Sequence, residues 1–193
     1  MPDFSSLHIG FALCGSFCVY AKVFPVIEAL REAGAEVIPI LSAASAATDT
    51  RFGAAADHIA RLTALTGRTP IRSIAEAEPI GPKKLLDILI IAPCTGNTLA
   101  KLAAGIADGP VTLAAKSHLR NERPVLIAVS SNDALAANAA SIGTLLARKH
   151  FYFVPMRQDA PQEKPRSVVA DFSRIPDAAA AALSGRQLQP ILL

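Results

Sequence analysis

The sequence predicts an α/β fold, a three-layer sandwich in which a mainly parallel sheet lies between helices. Three observations predict it. Five apolar runs of strand length recur along the chain, and helical patterns lie between them, as in a parallel sheet covered on both faces. Only 5% of residues are aromatic and Trp is absent. Alanine is frequent instead, which suits helices packed closely on a sheet.

The strand-like runs are LHIGFAL (7–13), EVIPIL (36–41), LDILIIA (86–92), PVLIAV (124–129) and FYFVP (151–155). Between the first two, Val23, Ile27 and Leu30 recur at helical spacing, and Gly34 follows where such a helix stops. Pro25 requires that helix to begin near Phe24 or to kink there. Ile59, Leu62 and Leu65 mark a second helix that closes at Gly67. After the third strand a helix starts at once, behind Thr95-Gly96-Asn97-Thr98. The segments 42–53 and 156–166 are long and polar enough to be functional loops. DAAAAALSG makes a last helix with Asp177 as its expected N-cap, and the apolar tail RQLQPILL must find cover, an interface between protomers being one possibility.

A chain of 193 residues, 51% hydrophobic and 18% charged, suffices for one well-buried domain spanning 1–193 and is short for two. The 19 basic and 16 acidic residues are scattered, so nucleic acid is not implied. Cys14, Cys18 and Cys94 are odd in number and form no C-x-x-C pair, which suits a reducing cytoplasm. The N-terminus carries Asp3 and no basic region, and no apolar run reaches the ~18 to 20 residues that span a bilayer. A soluble, unprocessed chain without membrane contact is expected.

A parallel sheet gathers its strand C-termini on one edge, and ligands bind in the crevice outside it. Gly15-Ser16 follows the first strand, Ser42 with Ser45 the second, Thr95 to Thr98 the third, and Ser130-Ser131-Asn132-Asp133 the fourth. Hydroxyls and backbone N–H groups at helix starts suit a phosphate, since free amides and the helix dipole both favour negative charge. Each such residue could equally be a plain helix cap, and the recurrence at four strand ends favours a ligand.

Named motifs mostly fail. GFALCGSF lacks the P-loop lysine, G-x-G-x-x-G is absent from the first turn, and Ser16 is in no G-x-S-x-G elbow. A mononucleotide remains. His8, His58, His118 and His150 are scattered, so no metal site is proposed. Cys94 reads as a small buried thiol or, with a lowered pKa, a reactive one. Lys116, Arg120 and Arg123 stand at roughly helical spacing, on a solvated face or an anion or partner surface. Arg51, in the polar loop after the second strand, is the candidate grip for a substrate carboxylate.

Gly15-Ser16, Ser42 and APCTGNTLAKLAAGIADGP (92–110) resemble the family of FMN-binding, Rossmann-like or flavodoxin-like flavoproteins, which includes pantothenoylcysteine decarboxylases and flavin prenyltransferases. The resemblance implies that Gly15, Ser16 and Ser42 hold the phosphate region. Pro93, Thr95, Gly96, Asn97 and Thr98 would then lie along the flavin, with Ser130 and Asn132 completing the pocket. TDTRFG, LTGR, AEPIGPK, AAKSHLRNERPV, SSNDAL, QDAPQEKP and GRQLQPILL, spread from 48 to 193, are similar to the B-subunit family of dipicolinate synthases.

That likeness implies a cytoplasmic oxidoreductase component in the mother cell of a sporulating bacterium. It would act with a dehydrogenase-like A subunit, which brings NAD(P), to oxidise dihydrodipicolinate to dipicolinate. Arg51 and Asn132 would face the dicarboxylate, and a homo-oligomer is plausible. The P-x-M-N-x-x-M-W segment of the decarboxylases is replaced by SSNDALAANAAS, and His58 is not in the context of their catalytic histidine. An FMN-dependent decarboxylase and a non-catalytic assembly partner of the A subunit, docked through the apolar tail and the basic helix, stay open as alternatives.

Overall fold

Along the central strands successive side chains point to opposite faces, and both faces are buried. The structure, a computed structural model, describes residues 2–193. Strand β1 (His8–Leu13) pairs in parallel with β2 (Glu36–Leu41) and with β3 (Ile88–Cys94); β3 pairs in parallel with β4 (Val125–Ser131). β5 (Phe151–Phe153) lies parallel to the first half of β4. A short hairpin of β6 (Met156–Arg157) and β7 (Val168–Ala170) continues along the same edge, β7 running antiparallel to Ser130 and Ser131.

The parallel order 2-1-3-4-5 turns back at β1, so a crevice opens outside the C-terminal ends of β1 and β3, where α/β sheets place ligands. Ile9, Phe11, Leu13, Ile90 and Ala128 face one helix layer, made by α1 (Tyr20–Glu32), α3 (Ala55–Thr66) and α8 (Ile175–Leu183). Ala12, Ile40, Leu89, Ile91 and Ile127 face the other core. There α4 (Ile74–Ala77), α5 (Gly96–Ala104), α6 (Pro110–Leu119) and α7 (Ala139–Leu146) pack. The small helix α2 (Ala43–Ala47) sits over the end of β2. No helix of the described residues is long and apolar enough to cross a membrane.

All five expected strands form. β6 and β7 were not expected: they have two and three residues, too few to show a period. α1 starts at Tyr20, ahead of Phe24, and continues past Pro25 to Glu32. Pro25 lies on the exposed side, where the carbonyl left without its amide donor can meet water. Asp177 is not an N-cap but sits in the first turn of α8. Asp171 does the capping, its carboxylate accepting the Ser173 N–H at 3.2 Å at the head of the 3-10 turn that leads into α8. The tail joins the sheet edge, where Met156 N–H donates to the Ile191 carbonyl and Leu193 N–H to the Met156 carbonyl. Leu192 stays largely exposed.

His118, on the last turn of α6, is 1% exposed and its Nε2 lies 3.1 Å from the Pro124 carbonyl. Burial pushes its pKa from 6.5 down to about 4, against the smaller opposing effect of that hydrogen bond. The unfolded imidazole takes up a proton at a higher pH than the folded one. Stability is therefore full above pH 6.5 and falls as pH drops from 6.5 towards 4, by up to about 3 kcal/mol from this group. Urea unfolding across that window should show the loss, and His118→Gln should flatten the slope.

Candidate functional site

The ends of β1, β2 and β3 enclose a cleft of about 350 Å³, near the lower end of small-molecule sites. Gly15, Ser42, Thr95, Asn97 and Thr98 line one side, and Lys101 with Asp108 to Thr112 lines the other.

The hydroxyls on the first side are helix caps, and that does not remove them from ligand binding. Ser42 Oγ accepts the Ser45 N–H at 3.2 Å and caps α2. Thr95 Oγ1 accepts the Thr98 N–H at 3.4 Å and caps α5. A cap uses a lone pair of the hydroxyl oxygen, so the O–H proton can serve either an acceptor in the cleft or an inner hydroxyl, Ser45 at 2.9 Å for Ser42 and Thr98 at 3.2 Å for Thr95. The Thr98 hydroxyl donates inward instead, to Cys14 Sγ at 3.2 Å. Burial pushes the Cys14 thiol up to about 11 and the Cys94 thiol well above its ordinary value, so neither is a thiolate nucleophile.

Behind the loop, Gly96 is pressed against a polar knot. Asp133 accepts from the Ser131 hydroxyl at 2.5 Å and from Asn138 Nδ2 at 2.7 Å. The Ser131 hydrogen bond chiefly, then the one from Asn138, holds the Asp133 carboxyl below the usual range. A Cβ on Gly96 would sit 2.5 Å from Asn138 Nδ2 and 2.8 Å from both Asp133 Oδ1 and Ser131 Oγ. Glycine here lets the start of α5 lie directly on the end of β4.

Of the residues singled out from the sequence, Gly15, Ser42, Thr95, Asn97 and Thr98 share the cleft wall. The hydroxyls of Ser16 and Ser130 lie 2.8 Å apart, joining the loop after β1 to the end of β4. Pro93 is buried at the end of β3, its carbonyl accepting the Cys14 N–H at 3.2 Å. Asn132 and Arg51 lie outside the wall. Asn132 is exposed, with Oδ1 3.5 Å from the Ser167 hydroxyl; Arg51 is exposed on a tight turn, its guanidinium 4.9 Å from the Phe52 ring centre. His58 is a core histidine among Phe17, Tyr20 and Phe24, and burial lowers its pKa.

Sequence reasoning missed the far wall. Lys101 Nζ sits 2.9 Å from both oxygens of Asp108. Lys101 falls four residues after Asn97, on the same face of α5, and Gly109-Pro110 is a helix-start pattern, so both signals were available. The donor set fits a phosphorylated ligand through its hydroxyls and an amide, while the two charged groups of the lining, Lys101 and Asp108, are paired with each other and leave the wall close to neutral. Among the described residues no group of three His, Cys, Asp or Glu could hold a metal.

A family model described as Flavoprotein matches residues 3–161. The B subunit of dipicolinate synthase from Bacillus subtilis is 45% identical over 193 residues, covering 100% of this chain and 96% of that protein. The crystal structure of the dipicolinate synthase B subunit from Bacillus halodurans superposes with a TM-score of 0.92 at 43% identity, covering 100% of this chain and 98% of that one. The flavin prenyltransferase UbiX of Deinococcus radiodurans is 31% identical over 150 residues, 73% of this chain and 74% of that protein.

Gly96→Ala should cost roughly 1–3 kcal/mol, because the new methyl must displace a hydrogen-bonded cluster, and thermal unfolding should register a fall of several degrees. Gly15→Ala, whose Cβ would meet its nearest neighbours at 3.5 Å, should change stability by less than about 0.5 kcal/mol.

Proposed function

Because the chain belongs to the flavoprotein family, we propose that the cleft holds flavin mononucleotide and that the protein works as the B subunit in dipicolinate synthesis. The observation that carries the second part is end-to-end likeness to such a B subunit, 45% identical over 193 residues. The donor set of the cleft supports the first.

In this reading Gly15, Ser16 and Ser42 meet the phosphate, with Ser130 behind Ser16, and the Pro93 to Thr98 loop runs along the ring. The anion then sits at the starts of α2 and α5, where hydroxyl protons and free amides converge. A bound flavin supplies an acceptor for two electrons. Lys101, the cation in the wall, meets a substrate carboxylate by exchanging its Asp108 partner for it. Arg51 and Asn132 stand outside that wall and would meet the dicarboxylate only at its rim.

The reaction removes two electrons and two protons from dihydrodipicolinate and leaves the aromatic pyridine. Gain of aromaticity makes it downhill, so placing the ring is the main task of the protein. A dehydrogenase-like A subunit carrying NAD(P) would complete the enzyme in the mother cell, with this chain a single flavoprotein-like domain that self-associates.

Titrating the purified protein with FMN, followed by visible absorption and flavin fluorescence, tests the pocket. Saturable one-to-one binding is expected, weakened about tenfold or more when Ser16→Ala is combined with Thr95→Ala, since each lost hydroxyl removes about 1 kcal/mol. Mixing the loaded protein with its dehydrogenase-like partner should then yield dipicolinate. No FMN binding would remove the flavin, and dipicolinate formed in its absence would leave the chain as an assembly partner.

A further inference from the structure

We propose that Tyr20, buried beneath the cleft and outside its lining, is a positioning residue for ligand phosphate: its hydroxyl frees the Ser42 proton to point outward. This rests on the reading of Ser42 as a phosphate contact.

Three hydroxyls form a chain inward from the wall. Ser42 Oγ lies 2.9 Å from Ser45 Oγ, and Tyr20 Oη lies 2.9 Å from the same Ser45 oxygen. Tyr20 and Ser45 are 2% and 0% exposed, so water cannot complete their hydrogen bonds. The Tyr20 ring is fixed edge-on to Phe24 and His58, at 5.9 and 4.9 Å between centres. Its oxygen therefore stays put.

Counting protons gives the chain two states. Ser45 donates to the Leu13 carbonyl at 3.0 Å, so its oxygen must accept. Its donor is Ser42 or Tyr20. When Tyr20 donates to its other partner, the Cys14 carbonyl at 3.1 Å, Ser42 turns its proton inward to Ser45. When Tyr20 donates to Ser45 instead, Ser45 remains satisfied and the Ser42 proton is free for the cleft. No heavy atom moves between the two states. An acceptor in the cleft selects the second, and burial keeps the phenol protonated at every working pH. Removing the phenol oxygen makes outward rotation of the Ser42 proton cost Ser45 its donor.

The test is binding of FMN and of riboflavin, which lacks the phosphate, to wild type, Tyr20→Phe, Ser42→Ala and the double variant. The expected result is that Tyr20→Phe weakens FMN about fivefold, the size of one net hydrogen bond, and leaves riboflavin within about twofold. In the double variant the losses should not add, because Tyr20 acts through Ser42. A Ser45→Ala background should likewise abolish the effect of Tyr20→Phe. Unchanged FMN affinity in Tyr20→Phe, equal losses for FMN and riboflavin, or additive losses overturn the proposal while the flavin reading stands. Wild-type protein that binds no FMN overturns the flavin reading and this proposal with it.

Discussion

The two-sided burial of the central strands is the constraint from which the rest follows. β3 is buried along its whole length, and β1 and β4 are buried apart from a terminal residue each. Such strands cannot carry polar side chains inward, since an unpaired buried polar group costs a few kcal/mol. Polar residues emerge only where each strand runs out and its helix begins. Four strand ends therefore deliver Ser16, Ser42, Thr95 and Ser130 to one edge, and the turn of strand order at β1 opens a crevice among them.

At that edge one hydroxyl serves two needs. The amides at a helix start require an acceptor, and an anionic ligand requires a donor. A serine or threonine can satisfy the first with its oxygen and the second with its proton, so in the proposed pocket stability and binding would select the same side chain. Carboxylates cannot do both. Asp108 and Asp133 are each held by donors of their own, Asp108 by Lys101 and Asp133 by Ser131 and Asn138.

The same physics decides what is legible in the sequence. Apolar runs of five or more residues announce themselves, so the five parallel strands and most of the serine and threonine wall can be read directly. β6 and β7 cannot, because two or three residues have no measurable period and the segment between them is polar. The far wall escapes because attention to strand ends overlooks the next loop along, which brings Asp108 to Thr112 back over the cleft. Arg51 illustrates the opposite error. A cation in the right loop says nothing about where its side chain goes, and here the Phe52 ring holds it. Asp177 matches a cap by residue type alone, whereas Pro176 shifts the helix start upstream.

The contact between Ser16 and Ser130 has a thermodynamic consequence. It ties the loop after β1 to the end of β4, which flank β3 on either side, and Gly96 locks the α5 start against the same strand. The rim is thus cross-braced before any ligand arrives. Loops that are ordered only on binding lose part of the interaction energy to entropy and slow the encounter. A braced rim avoids both, so an occupant of the proposed pocket would dock into a finished mould, and its affinity would be set by how long it stays rather than by how it gets in.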